Sequence, residues 1–581
     1  MKKINSFLII AVLLFIGCKE SFLDTQNLVS KSSENFPGTP VEADEALAGA
    51  YTILPPTIAG FPGIMFNAES MSDDRFGGGG QNDRPPQAIS YFRTTDVNLM
   101  GPEWSQYYQG IFRINSLLKS IKLPKWESAA QRQKVVGEAH FLRAYFYFDL
   151  ARQFSSPEVV DGHQLTVPLV LDPTPVNNPR ATEDSLYAHI AYDLKVAIDS
   201  LPDTPLSPTW KTTNLGRANK WAAEGLMARV FLFYTGYYQK TELPLPGGGS
   251  ITKAQVVTWI DELVDKSGAS LLKDPRNMWP YTIDSTTYGY VKDNHLKWVG
   301  EENNTESIFE IVYTGLISSV WNEQTHYANG FDLNSGIRNP DSQVPFGHGW
   351  GFLTVNPKLY DQWPNADIRK KGSIWNVDDS SEGTDQFMKA ADMQWQETNF
   401  IGKKYIPINV VNNGVKENYS RRLYPGMPDN FMLNNTQNII ILRLADVMLM
   451  GAELGSGRAQ QYMDAIRTRA GLPSVAPTLE NIQQERRYEL AFEGIRYFDL
   501  LRWYGKEAGV VIKQNETGAT IYNIGVKTTI NQDRGANYFE TIDQRVRDTG
   551  GFLMIPQDQI DLSKGVLKQN PGWVNAGDYM F

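Results

Sequence analysis

The chain has 581 residues, 41% of them hydrophobic, enough to bury a large core and more than one simple domain usually holds. A net charge of -10 argues against nucleic acid or an anionic membrane surface as the main partner. One cysteine leaves no pair for an internal disulfide, while 14 Trp, 27 Tyr and 27 Phe exceed what core packing usually needs and hint at stacking surfaces.

Met1-Lys2-Lys3 followed by an apolar run from Phe7 to Ile16 has the form of a secretory signal, too short to span a bilayer. It ends at Gly17-Cys18, which looks like a bacterial lipobox. The expectation is a signal peptide over 1–17 and a mature chain that starts with lipidated Cys18, so that covalent lipid anchors an otherwise soluble protein. The polar stretch 18–40 reads as a tether.

From there to residue 277 the pattern is helical. A short helix is predicted over 42–51, and Trp104, Tyr107, Tyr108, Ile111, Ile114, Leu117, Leu118 and Ile121 recur at helical spacing before Pro124. Further helices are predicted over 128–154, 182–201 (capped by Thr182 and stopped by Pro202), 218–238 and 253–267. Two of them share a pattern: Glu138, Arg143 and Tyr147 align with Glu224, Arg229 and Phe233. Internal similarity between helix pairs predicts stacked tetratricopeptide-like hairpins with long insertions.

Two irregular regions interrupt this order. The loop over 69–84 carries Asp73, Asp74 and Arg75 before four glycines, Gly77 to Gly80, without the Gly-Lys-Ser/Thr of a phosphate loop. It reads as a flexible turn or as a ligand-facing loop, because polar side chains on permissive backbone can reach sugar hydroxyls. Over 278–438 the helical period fades, a strand is predicted at 307–313, and Trp279, Tyr281, Tyr288, Tyr290, Trp298, Trp321, Tyr327, Phe346, Trp350 and Trp375 lie among Gly, Pro and Asn. Each can serve packing. As a group they are expected to include contacts for sugar rings, whose C–H faces stack on flat aromatics. Trp321 with Asn322 beside it is the first candidate; Tyr290, Trp298, Tyr327 and Trp350 follow.

Helices resume at 443–455 and 460–469, and a last stretch, 484–503, reads as one proline-free helix. Tyr488, Ala491, Ile495 and Phe498 form one apolar stripe, with Leu490, Tyr497 and Leu501 beside it, so the helix must be buried. Its charges therefore need partners, and Glu493/Arg496 and Asp499/Arg502 are i,i+3 neighbours. Gly494 implies that another backbone passes close by.

No catalytic constellation is evident. The six histidines show no metal-binding spacing, no Gly-x-Ser-x-Gly elbow occurs, and the cysteine is committed to lipid. Paired carboxylates for glycoside hydrolysis need only meet in space, which sequence does not test. No cofactor and no metal are expected.

The string from Gln484 to Trp503 resembles the closing helix of the SusD/RagB family of outer-membrane nutrient-binding lipoproteins of Bacteroidetes. Phe141 to Phe146, Val167-Pro168-Leu169, Gly216-Arg217-Ala218, Pro357 to Trp363, Asp367-Ile368-Arg369, Arg443 to Glu453, Phe552 to Ile560 and Gln569 to Trp573 are similar to it as well, as are Lys19-Glu20 and Ser21 to Asp24 after the cysteine. The resemblance implies a mostly α fold, an α-superhelical scaffold of tetratricopeptide-like hairpins. It would comprise a helical region over 41–277, an inserted loop-rich ligand-binding subdomain with short strands over 278–438, and a C-terminal region over 439–581. It further implies a non-enzymatic, lipid-anchored protein on the outer-membrane surface that captures an oligosaccharide or polysaccharide. That ligand would pass to a SusC-like TonB-dependent transporter. The early loop with Asp73, Asp74 and Arg75 would border the ligand. A peptide-capturing RagB-like role and a helical adaptor without small ligand are the alternatives.

Overall fold

Helix ends written into the sequence set the scaffold. Thr39 and Thr252 form capping boxes with Glu42 and Gln255, and the side chains of Ser128, Thr182 and Asn219 accept from the backbone N–H three residues on. Each such cap contributes about 1 kcal/mol. The computed structural model describes residues 35–54, 63–174, 177–284, 286–315, 328–338, 344–382, 394–532 and 536–581.

Between these caps the chain forms a serial array. The helix Pro40–Tyr51 packs on Gly101–Ser120, which packs on Ala129–Phe154; Glu183–Ser200, Lys220–Tyr237 and Lys253–Lys266 follow in turn. The array then resumes far along the chain, with Leu444–Glu453 packed on Lys253–Lys266 and Ala459–Arg469 on Leu444–Glu453. This is the expected tetratricopeptide-like arrangement, in which each helix covers the apolar face of the last. From Phe141 to Phe154 every residue is buried, because the helix is flanked on several sides. The shared motif also has a shared role: Arg143 pairs with Asp193 at 2.7 Å and Arg229 with Asp446 at 2.6 Å, each joining neighbouring helices.

The chain between Lys266 and Leu444 carries only short helices and short strands among its described residues. Ser307–Ile311, buried throughout, pairs antiparallel with Ile439–Arg443, Ile311 opposite Ile439. Asn219, already a helix cap, also donates to the Ile308 carbonyl at 3.1 Å and so ties this pair to the array. Arg75–Gly78 pairs with Phe352–Val355, which brings the early glycine loop onto the middle of the chain.

The closing stretch is not one helix. Leu479–Glu489 ends, a turn follows, and Arg496–Tyr504 starts anew. Phe492 and Gly494 have positive φ, +66° and +71°, which no α-helix contains. Gly494 does lie close to another segment: its N–H donates to the Glu69 carboxylate at 2.7 Å, and an added Cβ would lie 3.1 Å from the Met65 Cγ and 3.5 Å from the Met65 Cα. The break redirects the charges. Asp499 and Arg502 pair as expected at 2.8 Å, but Glu493 turns to Lys404 and Arg443, and Arg496 to Asp73. Among the described residues no helix is long and apolar enough to cross a membrane.

Candidate functional site

The side chains proposed on the early loop do not reach solvent. Asp73 accepts from Arg496 at 2.7 and 2.8 Å and from Asn515 at 2.6 Å; Asp74 accepts from Arg487 at 2.6 and 2.9 Å. Burial alone would raise the Asp73 carboxyl, but Arg496 and Arg487 hold it well below the usual carboxylate range. Arg75 is fully buried, 3.3 Å from Glu69 and over the Phe492 ring at 4.3 Å. All three tie the loop to the closing stretch. A buried charge needs partners before it can offer itself to a ligand.

The middle-region candidates divide. Tyr290 is buried, its hydroxyl accepting from Arg276 at 3.0 Å and its ring under the Lys403 ammonium at 4.3 Å, so it belongs to the core. Trp298 is half-buried and packs edge-on against Tyr419 at 5.8 Å. Trp321, Asn322 and Tyr327 lie outside the described residues. Trp350 is half-buried beside Phe352, and there the structure gathers a group of suitable side chains.

The glycines build this place. Gly79 has φ +83°, and a Cβ on it would fall 2.1 Å from the Phe352 ring, so only glycine fits. Its N–H donates to the Gly351 carbonyl and its carbonyl accepts from Trp395 N–H, both at 2.7 Å. The glycine run is thus a buried, pinned seam, not a flexible turn. It presents a polar tip: Gln81 and Asn82 are exposed, Asp83 and Arg84 half-buried. Asp83 accepts from Gly80 N–H at 2.6 Å and from Arg338 Nη1 at 3.0 Å, and the same Nη1 reaches the Trp350 carbonyl at 2.9 Å. Gln394 holds the far side by donating to the Gly351 carbonyl at 2.7 Å.

Two half-buried indoles, Trp350 and Trp395, are thereby tied through their backbones to the neighbourhood of this seam, which also carries exposed amides and an accessible ion pair. The Asp83 and Arg338 side chains are 36% and 30% exposed, and such a pair contributes little to stability and can be rearranged by a ligand. Leu353 and Gln396 nearby have φ of +56° and +51°, backbone strain of the kind that gathers at functional sites. Aromatic side chains with nearby amides, a carboxylate and a guanidinium are the residue types that suit a polyhydroxylated, partly apolar ligand.

The chain is similar to known proteins over most of its length. A family model described as the SusD family matches residues 305–573, and one described as starch-binding, associating with the outer membrane, matches 26–232. The chain belongs to the SusD-like family. A SusD-like protein of Bacteroides ovatus is 24% identical over 531 residues, 86% of this chain and 82% of the relative. One of Formosa agariphila is 25% identical over 531 residues, covering 86% and 91%. Among solved structures, a laminarin-binding SusD-like protein is similar with TM-score 0.67 and 26% identity, over 92% of this chain and 99% of the other. Surface glycan-binding protein A of Bacteroides fluxus shares the fold with TM-score 0.68 and 24% identity, over 92% and 100%.

In this SusD-like chain, Asp83, Arg338 and Trp395 escaped the sequence reading. Asp83 and Arg338 are 255 positions apart, and no local pattern marks them as partners. Trp395 could have been found as one more tryptophan in the loop-rich region. His163, Glu183 and Asp184, by contrast, meet at metal-like spacing that their sequence positions conceal, but Lys240 answers their charge, 3.2 Å from Glu183 and 3.1 Å from Asp184.

Proposed function

We propose that this SusD-like protein captures an oligosaccharide or polysaccharide at the cell surface and delivers it to a SusC-like TonB-dependent outer-membrane transporter. Lipid on Cys18, which lies outside the described residues, is the proposed anchor. The observation that carries the reading is that the half-buried Trp350 and Trp395 are fastened through their backbones to Arg338 and to Gly79, next to the polar tip of Gln81, Asn82 and Asp83. Indole faces take the C–H faces of sugar rings, while the amides, carboxylate and guanidinium bind pairs of hydroxyls. The likeness to a laminarin-binding SusD-like protein supports a glucan as the first ligand to try. Capture here is binding alone, with no bond made or broken. The closing stretch serves it indirectly, by fixing the loop that carries the polar tip.

Native affinity electrophoresis of the chain without residues 1–18, against laminarin and a panel of other polysaccharides, tests this. One glycan should retard the protein, and Trp350→Ala or Trp395→Ala should each weaken retention at least tenfold, about 1.4 kcal/mol. Retardation that survives both substitutions would move the site elsewhere. Failure with every glycan would refute the reading. Co-purification of an outer-membrane barrel with the full lipoprotein checks the transport role.

A further inference from the structure

The strands Thr520–Asn523 and Val526–Thr529 pair with Asn523 opposite Val526, so Ile524 and Gly525 form a two-residue turn. Both have positive φ, +51° and +76°. A second hairpin, Asn409–Asn412 with Val415–Asn418, closes in the same way through Asn413 and Gly414, at +49° and +81°. Asn-Gly is the pair this turn favours, because asparagine tolerates the left-handed region and glycine is indifferent to it. A β-branched residue there is strained. The chain therefore makes one turn twice, once with the relaxed residue and once with isoleucine.

Core packing does not explain the choice. Ile524 is 39% exposed and its neighbour Val526 67% exposed, so two apolar side chains stand in water at the tip of a hairpin. The position of that tip is the informative part. Tyr522 and Glu397 exchange backbone hydrogen bonds at 2.6 and 2.9 Å, the Ile524 N–H donates to the Gln394 carbonyl at 2.8 Å, and Asn523 accepts from the Gln396 N–H at 2.9 Å. The hairpin is thereby fastened to the residues on either side of Trp395, at the edge of the candidate glycan surface.

We infer that Ile524 is a ligand contact that extends this surface beyond Trp395, offering an apolar face to the next sugar ring of a bound oligosaccharide. Strain retained at an exposed position is explained if the side chain is used there. Val526, on the same tip, adds to the apolar face. The inference rests on the glycan-binding reading above and adds to it a contact that lengthens the site, so chains of several sugars should gain more from it than single sugars.

The test uses the mature protein, with laminarin and laminarihexaose as probes and the polysaccharide panel behind them. Ile524→Asn keeps the turn and relieves the strain, so its melting temperature should stay level or rise. Its affinity for the long ligand should fall at least threefold. Ile524→Leu, which restores an apolar side chain, should bind within twofold of the parent. If Ile524→Asn binds as the parent does, while Trp350→Ala and Trp395→Ala lose retention, the inference is overturned and the glycan reading stands. If the parent binds no glycan of the panel, both fall together. A drop in affinity matched by Ile524→Leu and by a lower melting temperature would show a merely structural hairpin, and would also overturn it.

Discussion

Replacing Arg443 by methionine should unbalance the buried charge cluster that holds the closing stretch. Five cations, Arg369, Lys404, Arg443, Arg467 and Arg469, face five carboxylates, Glu306, Asp367, Glu485, Glu489 and Glu493. Arg443 is 3.0 Å or less from three of them: Glu306 at 2.7, Glu489 at 2.6 and Glu493 at 2.7 Å. Each keeps another cation when Arg443 is lost, so the net result is one uncompensated buried negative charge. Breaking a buried pair in this way costs about 3–5 kcal/mol. At about 2.1 cal/mol/K of unfolding entropy per residue, a 581-residue chain that melts as one unit shifts by about 2–4 °C. Differential scanning calorimetry at neutral pH reads that shift. Adding Glu493→Gln to Arg443→Met removes the orphan charge and should recover at least half of the loss. A single variant melting within about 1 °C of the parent, or a double variant melting lower still, would refute the electrostatic account.

Other expectations concern the loop and pH. Gly79→Val should destabilise by about 1–3 kcal/mol more than Gly247→Val, because the two glycines share φ near +80° but only Gly79 faces a ring that a Cβ would strike. Affinity for the captured glycan should fall with Gly79→Val alone, measured beside urea unfolding. Stability should also rise as pH falls from 8 towards 5. Burial pushes the Glu224 carboxyl up to about 8 and the Glu103 carboxyl up to about 7. The folded state therefore binds protons that the unfolded state releases, and stability is lost as pH rises through those values. Below pH 4 the sign reverses. Burial would raise the Asp446 carboxyl, but Arg486 and Arg229 hold it at about 2, and its contribution is lost as pH falls from about 4 to 2. Melting temperatures across pH 3–9 should peak between these windows; a profile that only rises to pH 9 would contradict the assignment.

Much of the scaffold was legible because its signals are local. Apolar spacing, Thr182 with Pro202, and the repeated Glu138–Arg143 and Glu224–Arg229 patterns act within a few turns of helix, and each predicted helix from 42 to 267 is present within three residues at either end. The closing stretch shows where that logic stops. Its apolar stripes correctly required burial, yet Phe492 and Gly494 break the helix, since Glu69 and Met65 on a distant segment favour the turn. A buried carboxylate takes the cation that tertiary packing brings nearest, so Glu493 goes to Lys404 and Arg443 rather than to the neighbour three residues on.

The sequence by itself determined the helical array, the need to pair the charges of its last segment, and a wealth of aromatic residues outside the helices. The tertiary structure decided which of those aromatics stay partly exposed, that Asp73, Asp74 and Arg75 are spent inside, that Asp83 and Arg338 meet beside the Trp350 carbonyl, and that Trp395 is bound to Gly79. Periodicity reports how an element faces the core. Loop side chains are placed by contacts between segments hundreds of residues apart, and only folding brings those segments together.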